Sequence, residues 1–187
     1  MSVNTREAIL QAARKIAQSQ GYNGLNFRDL AQDVGIKAAS IYYYFPGKAE
    51  LGIAVARRYW EDGALALEMI ESESPSPIDA LRRFPEIFRR SLEAENRLCL
   101  GSFMGAEKDT LPPEMNAEIQ KFADVNIAWL NRLLVAAKVC DSGESESRAR
   151  AIFTAIAGAQ LIARSRSDIS LFDSLVDSYS AFGPLPE

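Results

Sequence analysis

The chain lacks histidine altogether. That absence excludes Ser-His-Asp and Cys-His catalysis, a His-ligated zinc site and a histidine proton shuttle. Cysteine is nearly absent too: Cys99 and Cys140 are too far apart for a CxxC redox or zinc motif. Two cysteines and no secretory signal fit a reducing cytoplasm, because the chain starts on the polar residues Ser2, Asn4, Thr5, Arg6 and Glu7. No apolar run approaches the roughly 18–20 residues that span a bilayer, so no membrane partner is expected. A GxGxxG loop, a GxxxxGK loop followed by Ser or Thr, and a paired-carboxylate motif are all missing, so the expectation is no enzyme, no cofactor and no metal. An excess of positive charge is also lacking: 21 Lys+Arg face 25 Asp+Glu, a net of −4, which is a poor first guess for a nucleic-acid binder.

The charge is unevenly spread. Residues 1–60 carry eight basic residues (Arg6, Arg14, Lys15, Arg28, Lys37, Lys48, Arg57, Arg58) against four acidic ones, a net of +4. The remainder holds 13 basic and 21 acidic residues, a net of −8. A basic first third on an acidic body points to a partner-specific end. With 187 residues and 48% hydrophobic content, the chain can bury a real core.

The periodicity is helical nearly throughout, which predicts an all-α fold. Ile9, Ala12, Ala13, Ile16 and Ala17 repeat on one helix face, and the glycines at 21 and 24 end that helix. Asn26 reads as the N-cap of a short second helix closed by Gly35. A third helix is predicted over about 37–44, broken by Pro46-Gly47, and a fourth from 47 or 48 to about 71. Beyond the Pro75/Pro77 break, a fifth helix is expected over about 77–95, kinked at Pro85. Later helices are expected over about 98–107, 113–139, 144–166 and 169–179.

Residues 26–45 have helix-turn-helix arithmetic: two short helices joined by a tight glycine turn. Leu30, Ala31, Val34, Ile36, Ile41 and Phe45 can form the shared small core. Lys37, Ala38, Ala39, Ser40, Tyr42, Tyr43 and Tyr44 then form the outward or edge set of the second helix. Small and hydroxyl side chains can meet a thymine methyl or a base edge, and phenols can donate to phosphate. Arg28 starts the first of the pair. Lys48 starts the next long helix, where its charge and the helix N-terminus both favour a phosphate. These are the candidate DNA-binding residues. The other class of reading is a helical protein-interaction adaptor using the same motif on a protein surface.

At these residues the sequence resembles the TetR family of transcriptional regulators. The matching stretch is Thr5 to about Arg58: Ala-Ala in the first helix, Gly-Tyr-x-Gly after it, the Leu-Ala-x-x-Val-Gly turn, then Ser-Ile-Tyr-x-Tyr-Phe-x-x-Lys-x-x-Leu ending on Leu51. The family often has Ser or Thr at the position of Lys37, as N-cap, and a basic residue at the position of Ala38; here the cation comes one position early. The resemblance implies residues 1–48 as a helix-turn-helix DNA-binding domain, with a linking fourth helix reaching about residue 71. Residues 49–187 are then a helical ligand-binding and dimerisation domain. It implies a homodimer that reads a palindromic double-stranded operator as a repressor and is released by a small-molecule effector. The last two long helices would pair into a four-helix dimer interface, with Ile152, Ala155, Ile156, Ala159 and Ile162 on the eighth.

Aromatics of the later helices are core by default, but some can line an effector pocket near Pro85: Trp60, Phe84, Phe88, Phe103, Phe122 and Trp129, with Met104 as an adaptable wall. Cys99 lies beside Arg97 at the expected start of the sixth helix. Two readings stand for it: a small buried hydrophobe, or a thiol made reactive by the helix end and the arginine, as in a subset of the family that senses electrophiles or oxidants.

Overall fold

The computed structural model describes residues 5–186; Ser2 and Asn4 of the polar start lie outside the described residues. Among the described residues ten α-helices follow one another: α1 Thr5–Gln20, α2 Phe27–Val34, α3 Ala38–Tyr44, α4 Lys48–Glu73, α5 Pro77–Arg83, α6 Glu86–Glu93, α7 Leu100–Ala106, α8 Pro113–Ala136, α9 Ser142–Arg166 and α10 Ile169–Phe182. A 3-10 turn, Lys108–Thr110, precedes α8. No strand occurs among the described residues, and no helix among them is long and apolar enough to cross a membrane. The all-α class holds.

Local chemistry sets the helix ends. The Asn26 side chain accepts the Arg28 N–H at 2.8 Å and starts α2. Gly35 ends it at φ +73°, a left-handed conformation open to glycine at little cost. There the Ile36 N–H reaches the Ala31 carbonyl at 2.9 Å and the Gly35 N–H reaches Gln32 at 3.2 Å, so two of the last carbonyls of α2 are satisfied. Ser76 caps α5 and Asp168 caps α10 in the same manner as Asn26.

The fifth helix departs from expectation. A kinked helix over about 77–95 was predicted; the chain forms two helices, α5 and α6, with Pro85 between them. Pro85 has no N–H to offer the Leu81 carbonyl, and its ring crowds that carbonyl. The Phe84 N–H takes the Leu81 carbonyl instead, at 3.1 Å, and α6 begins afresh after Pro85. Other helix ends shift by one to three residues. Helix α8 stops at Ala136, just before Lys138 turns the chain at φ +56°; α7 starts at Leu100; α10 continues to Phe182.

The described chain divides into two compact units. One comprises the chain up to Glu61 together with Leu100–Lys121; the other comprises Asp62–Cys99 and Phe122 onward. In the first, Ile9, Leu10, Ala13 and Ala17 of α1 are buried along with Leu30 and Ala31 of α2, Ile41 of α3, and Leu51 and Val55 of α4. Burying side chains of the Leu or Ile size contributes about 1.5–3 kcal/mol each. In the second, Phe84, Phe88 and Leu92 are buried, as are Ile152, Ile156 and Ala159 of α9 and Phe172 of α10.

Candidate nucleic-acid interface

The α2–α3 pair lies in the first unit. Leu30, Ala31, Ile41 and Phe45 are buried, while Val34 and Ile36 are half-buried. With Ile41 locked inward at 0% exposure, its neighbours must turn outward: Tyr42 is 57% exposed and Tyr43 83%. Ala39 and Lys37 are exposed, and Ala38, Ser40 and Tyr44 are half-buried. Two phenol rings are nonetheless held. Tyr42 leans on Phe27 at 4.8 Å between ring centroids, and Tyr43 meets Tyr44 edge-on at 5.1 Å. Lys37 is the N-cap residue of α3 but makes no side-chain capping bond, and its carbonyl accepts the Ser40 N–H at 2.8 Å. An ammonium has no acceptor to offer the free N–H groups at that helix end.

Two open concavities flank α3. Leu25, Asn26, Phe27, Arg28, Ala38, Tyr42, Gly47 and Lys48 line one. Thr5, Ile36, Lys37, Ala39, Ser40, Tyr43 and Tyr44 line the other. All nine predicted DNA-binding residues thus lie on one or the other flank, with a cation on each. Lys48 starts α4, where its Nζ donates to the Asn23 carbonyl at 3.0 Å and sits 4.8 Å from the Tyr22 ring centroid. Arg57 and Arg58 of the basic third have acidic partners: Arg57 is bound to Glu118 at 2.9 Å and Arg58 to Glu7 at 3.4 Å.

The aromatic residues predicted to line a pocket separate. Phe84, Phe88, Phe122 and Trp129 form one cluster in the second unit. Phe84 lies 5.6 Å from Phe88 and 6.0 Å from Trp129, and Phe88 lies 6.4 Å from Phe122. Phe153 joins them, 6.0 Å from Phe88 and 6.2 Å from Phe122. Trp60, Phe103 and Met104 belong to the first unit. Cys99 is 1% exposed, and Arg97 is engaged by Glu95, so an outside oxidant reaches the thiol only after local opening.

The predicted α9 dimer face needs correction. Ile152, Ile156 and Ala159 are buried within the chain and cannot meet a partner; Ala155 is half-buried and Ile162 exposed. Their face, with Ala149 and Ala163, looks inward. The outward face carries Ala151, Thr154, Gly158, Leu161 and Ile162. Helix α9 has apolar residues on both sides, so spacing alone did not separate them.

Several important polar residues had no sequence signal beyond their type. Glu118 of α8 is buried and accepts Arg57 Nη2 at 2.9 Å, Trp60 Nε1 at 2.8 Å and Lys121 Nζ at 3.1 Å. The Arg57 hydrogen bond leads in holding its carboxyl down at about 2, against the opposing pull of burial. Glu71 of α4, in the second unit, accepts Trp129 Nε1 at 3.1 Å and both Arg132 amino groups at 2.7 and 2.6 Å. The Arg132 hydrogen bond lowers its carboxyl below the usual range. Gln160 of α9 accepts the Cys99 N–H at 3.0 Å and donates to the Phe88 carbonyl at 2.7 Å. Glu107 accepts the Tyr22 N–H at 2.8 Å.

A short helix with an exposed, mostly uncharged face, a glycine turn before it and a cation on each flank defines a helix-turn-helix DNA-binding protein. Residues 9–55 match the bacterial regulatory proteins of the tetR family. The chain is 31% identical to a TetR transcriptional regulator of Legionella pneumophila, whose crystal structure superposes with a TM-score of 0.89 over 97% of this chain and 98% of that one. It is 25% identical, over 93% of its length and 90% of the relative's, to an uncharacterized HTH-type transcriptional regulator in the lacX 3' region of Lactococcus lactis. It is 26% identical to the HTH-type transcriptional regulator RutR of Escherichia coli K12, over 67% of this chain and 61% of that protein. The chain belongs to the TetR family and is a DNA-binding transcriptional regulator.

Proposed function

We propose that this regulator is a repressor that binds a palindromic operator as a homodimer and is released by a small-molecule effector. The observation that carries the DNA reading is the placing of α3 between two concavities, with Arg28 and Lys48 on one flank and Lys37 on the other. With α3 in a major groove, the concavities seat the two bordering phosphate strands. Ala38, Ala39 and Ser40 allow close approach to bases, and Tyr42, Tyr43 and Tyr44 donate to phosphate or stack along the groove wall. A dimer sets two such helices one helical turn apart, roughly 34–36 Å. The outward face of α9, with Leu161 50% and Ile162 48% exposed, and Phe182 of α10, 94% exposed, supply apolar surface for a two-fold contact. Gly158 lets the helices approach closely.

The Phe84, Phe88, Phe122, Trp129 and Phe153 cluster gives an apolar effector its natural surroundings. Effector release requires the ligand to favour one conformer over the other, typically by about 1–3 kcal/mol. The chain offers two continuous links for this coupling, because α4 and α8 each contribute residues to both units. This reading places the protein in the cytoplasm and assigns it no turnover of its own.

A mobility shift with duplex from the protein's own upstream region tests the reading. Specific, dimer-stoichiometric binding is expected. Binding no tighter than to random duplex would sink it. Lys48→Ala should weaken binding to every sequence and reduce the salt slope by about one.

A further inference from the structure

We infer that Glu107 is a positioning residue for the DNA contact of Lys48, acting through the turn at residues 21–24; this rests on the proposed phosphate contact of Lys48. Both groups that hold the Lys48 ammonium belong to that one turn: the Asn23 carbonyl, 3.0 Å from Nζ, and the Tyr22 ring, 4.8 Å away. A lysine ammonium has three donors, so this holding leaves others for a phosphate. A free lysine stem also loses side-chain entropy on docking, up to about 2 kcal/mol, and a stem already held has less to lose. The position of the ammonium is therefore the position of the turn.

Glu107 fixes the turn. Tyr22 provides the first amide beyond Gly21, and it donates to Glu107 Oε2 at 2.8 Å. The carboxylate lies directly on Gly21: a Cβ at Gly21 would stand 2.3 Å from Oε1 and 2.4 Å from Oε2. Gly21 also has φ +72°, a left-handed conformation that favours glycine. The Tyr22 ring is trapped as well, since a Cβ at Gly52 would stand 2.9 Å from the ring and 3.0 Å from Met115 Sδ. A carboxylate at the C-terminal end of α1 gains nothing from the helix dipole, which is negative there. What it gains is the Tyr22 amide, and with it control of the residue that carries the cation. Glu107 sits between α7 and the 3-10 turn, in the part of the later sequence that belongs to the first unit. A displacement of that segment reaches the phosphate contact without passing through α3.

Duplex from the upstream region, titrated with the full chain over a salt series, reads the effect. Glu107→Ala should lower the salt slope by about one, as Lys48→Ala does, and the double variant should bind no more weakly than Lys48→Ala alone. Glu107→Gln keeps a carbonyl for the Tyr22 amide and should retain the wild-type slope. Glu107→Asp, which withdraws the carboxylate by one methylene, should reproduce the alanine result and serves if the alanine variant does not fold. Effects of Glu107→Ala and Lys48→Ala that multiply, or an unchanged slope in Glu107→Ala and Glu107→Asp, would overturn the inference. A DNA-free measurement separates it from the DNA reading. The Lys48 ammonium should give an ordered nitrogen resonance in the wild type and lose it in Glu107→Ala. Loss of the resonance with no slope change in Lys48→Ala would remove the phosphate contact and leave the positioning intact; a resonance that survives Glu107→Ala removes the positioning itself.

Discussion

Glu118 in the first unit and Glu71 in the second are bound by the same kinds of donor. Glu118, on α8, takes Arg57 and Trp60 of α4; Glu71, on α4, takes Trp129 and Arg132 of α8. In each case the donors are three residues apart, so one helix turn presents an indole N–H and a guanidinium side by side. The difference is access to water. The Glu118 side chain is 6% exposed and that of Glu71 35%. A carboxylate shut away from solvent depends on its partners, whereas a half-open one can replace them with water. Similar contacts therefore carry unequal weight.

Truncation should show the inequality most strongly. Glu118→Ala strands the Trp60 N–H and should cost about 2–3 kcal/mol, lowering the melting temperature by about 5–10 °C in calorimetry. Glu71→Ala should cost about 1 kcal/mol or less. Equal losses at the two sites would break the comparison.

Acid should act next. The Glu118 carboxyl is lowered from 4.5 to about 2 in the folded chain. Its stabilisation is therefore full above the unfolded value and is lost as pH falls through that window toward about 2. The wild type should lose melting temperature between pH 4.5 and 2.5 more steeply than Glu118→Gln; parallel curves would show that Glu118 is not the group responsible. A smaller effect is expected from salt. The stability difference between wild type and Glu71→Gln should shrink in 1 M NaCl, while that for Glu118→Gln should persist. A salt-insensitive Glu71 would place it with the buried kind.

The indoles offer a further comparison. The chain has two tryptophans, one in each arrangement. Trp60→Phe and Trp129→Phe should each cost about 1 kcal/mol and leave a single emitter reporting on one carboxylate. On acidification, emission from Trp60 should change at lower pH than emission from Trp129, because Glu118 has the larger depression. A common midpoint would merge the two sites.

The helix-turn-helix was legible because its signals are local. Asn26 caps, Gly35 turns, and the spacing of Leu30, Ile41 and Phe45 defines an inside, which leaves Tyr42 and Tyr43 outside. The carboxylates were not legible, because a glutamate on a helix looks solvated until a distant donor is known: nothing near residue 118 announces Arg57 and Trp60. Pro85 signalled a disturbance but not its size, since kink and break share one cause and differ in whether the Phe84 N–H finds another acceptor. On α9 the signal was degenerate. Ile152 and Ile162 are the same residue type, one fully buried and the other about half-exposed.

Gln160 has a consequence for how the second unit opens. Its side chain is 0% exposed and bridges two backbone groups from different segments, the Phe88 carbonyl and the Cys99 amide. Gln160 lies inside α9, so fraying at the ends of that helix leaves both contacts in place, and these segments should open in a single event involving α9. The Cys99 amide proton should then exchange with the same opening free energy as the protected amides of α6, and the Cys99 thiol should show that same protection against an alkylating reagent. One cysteine thus becomes a clock for a concealed collective motion, read without any operator or effector present.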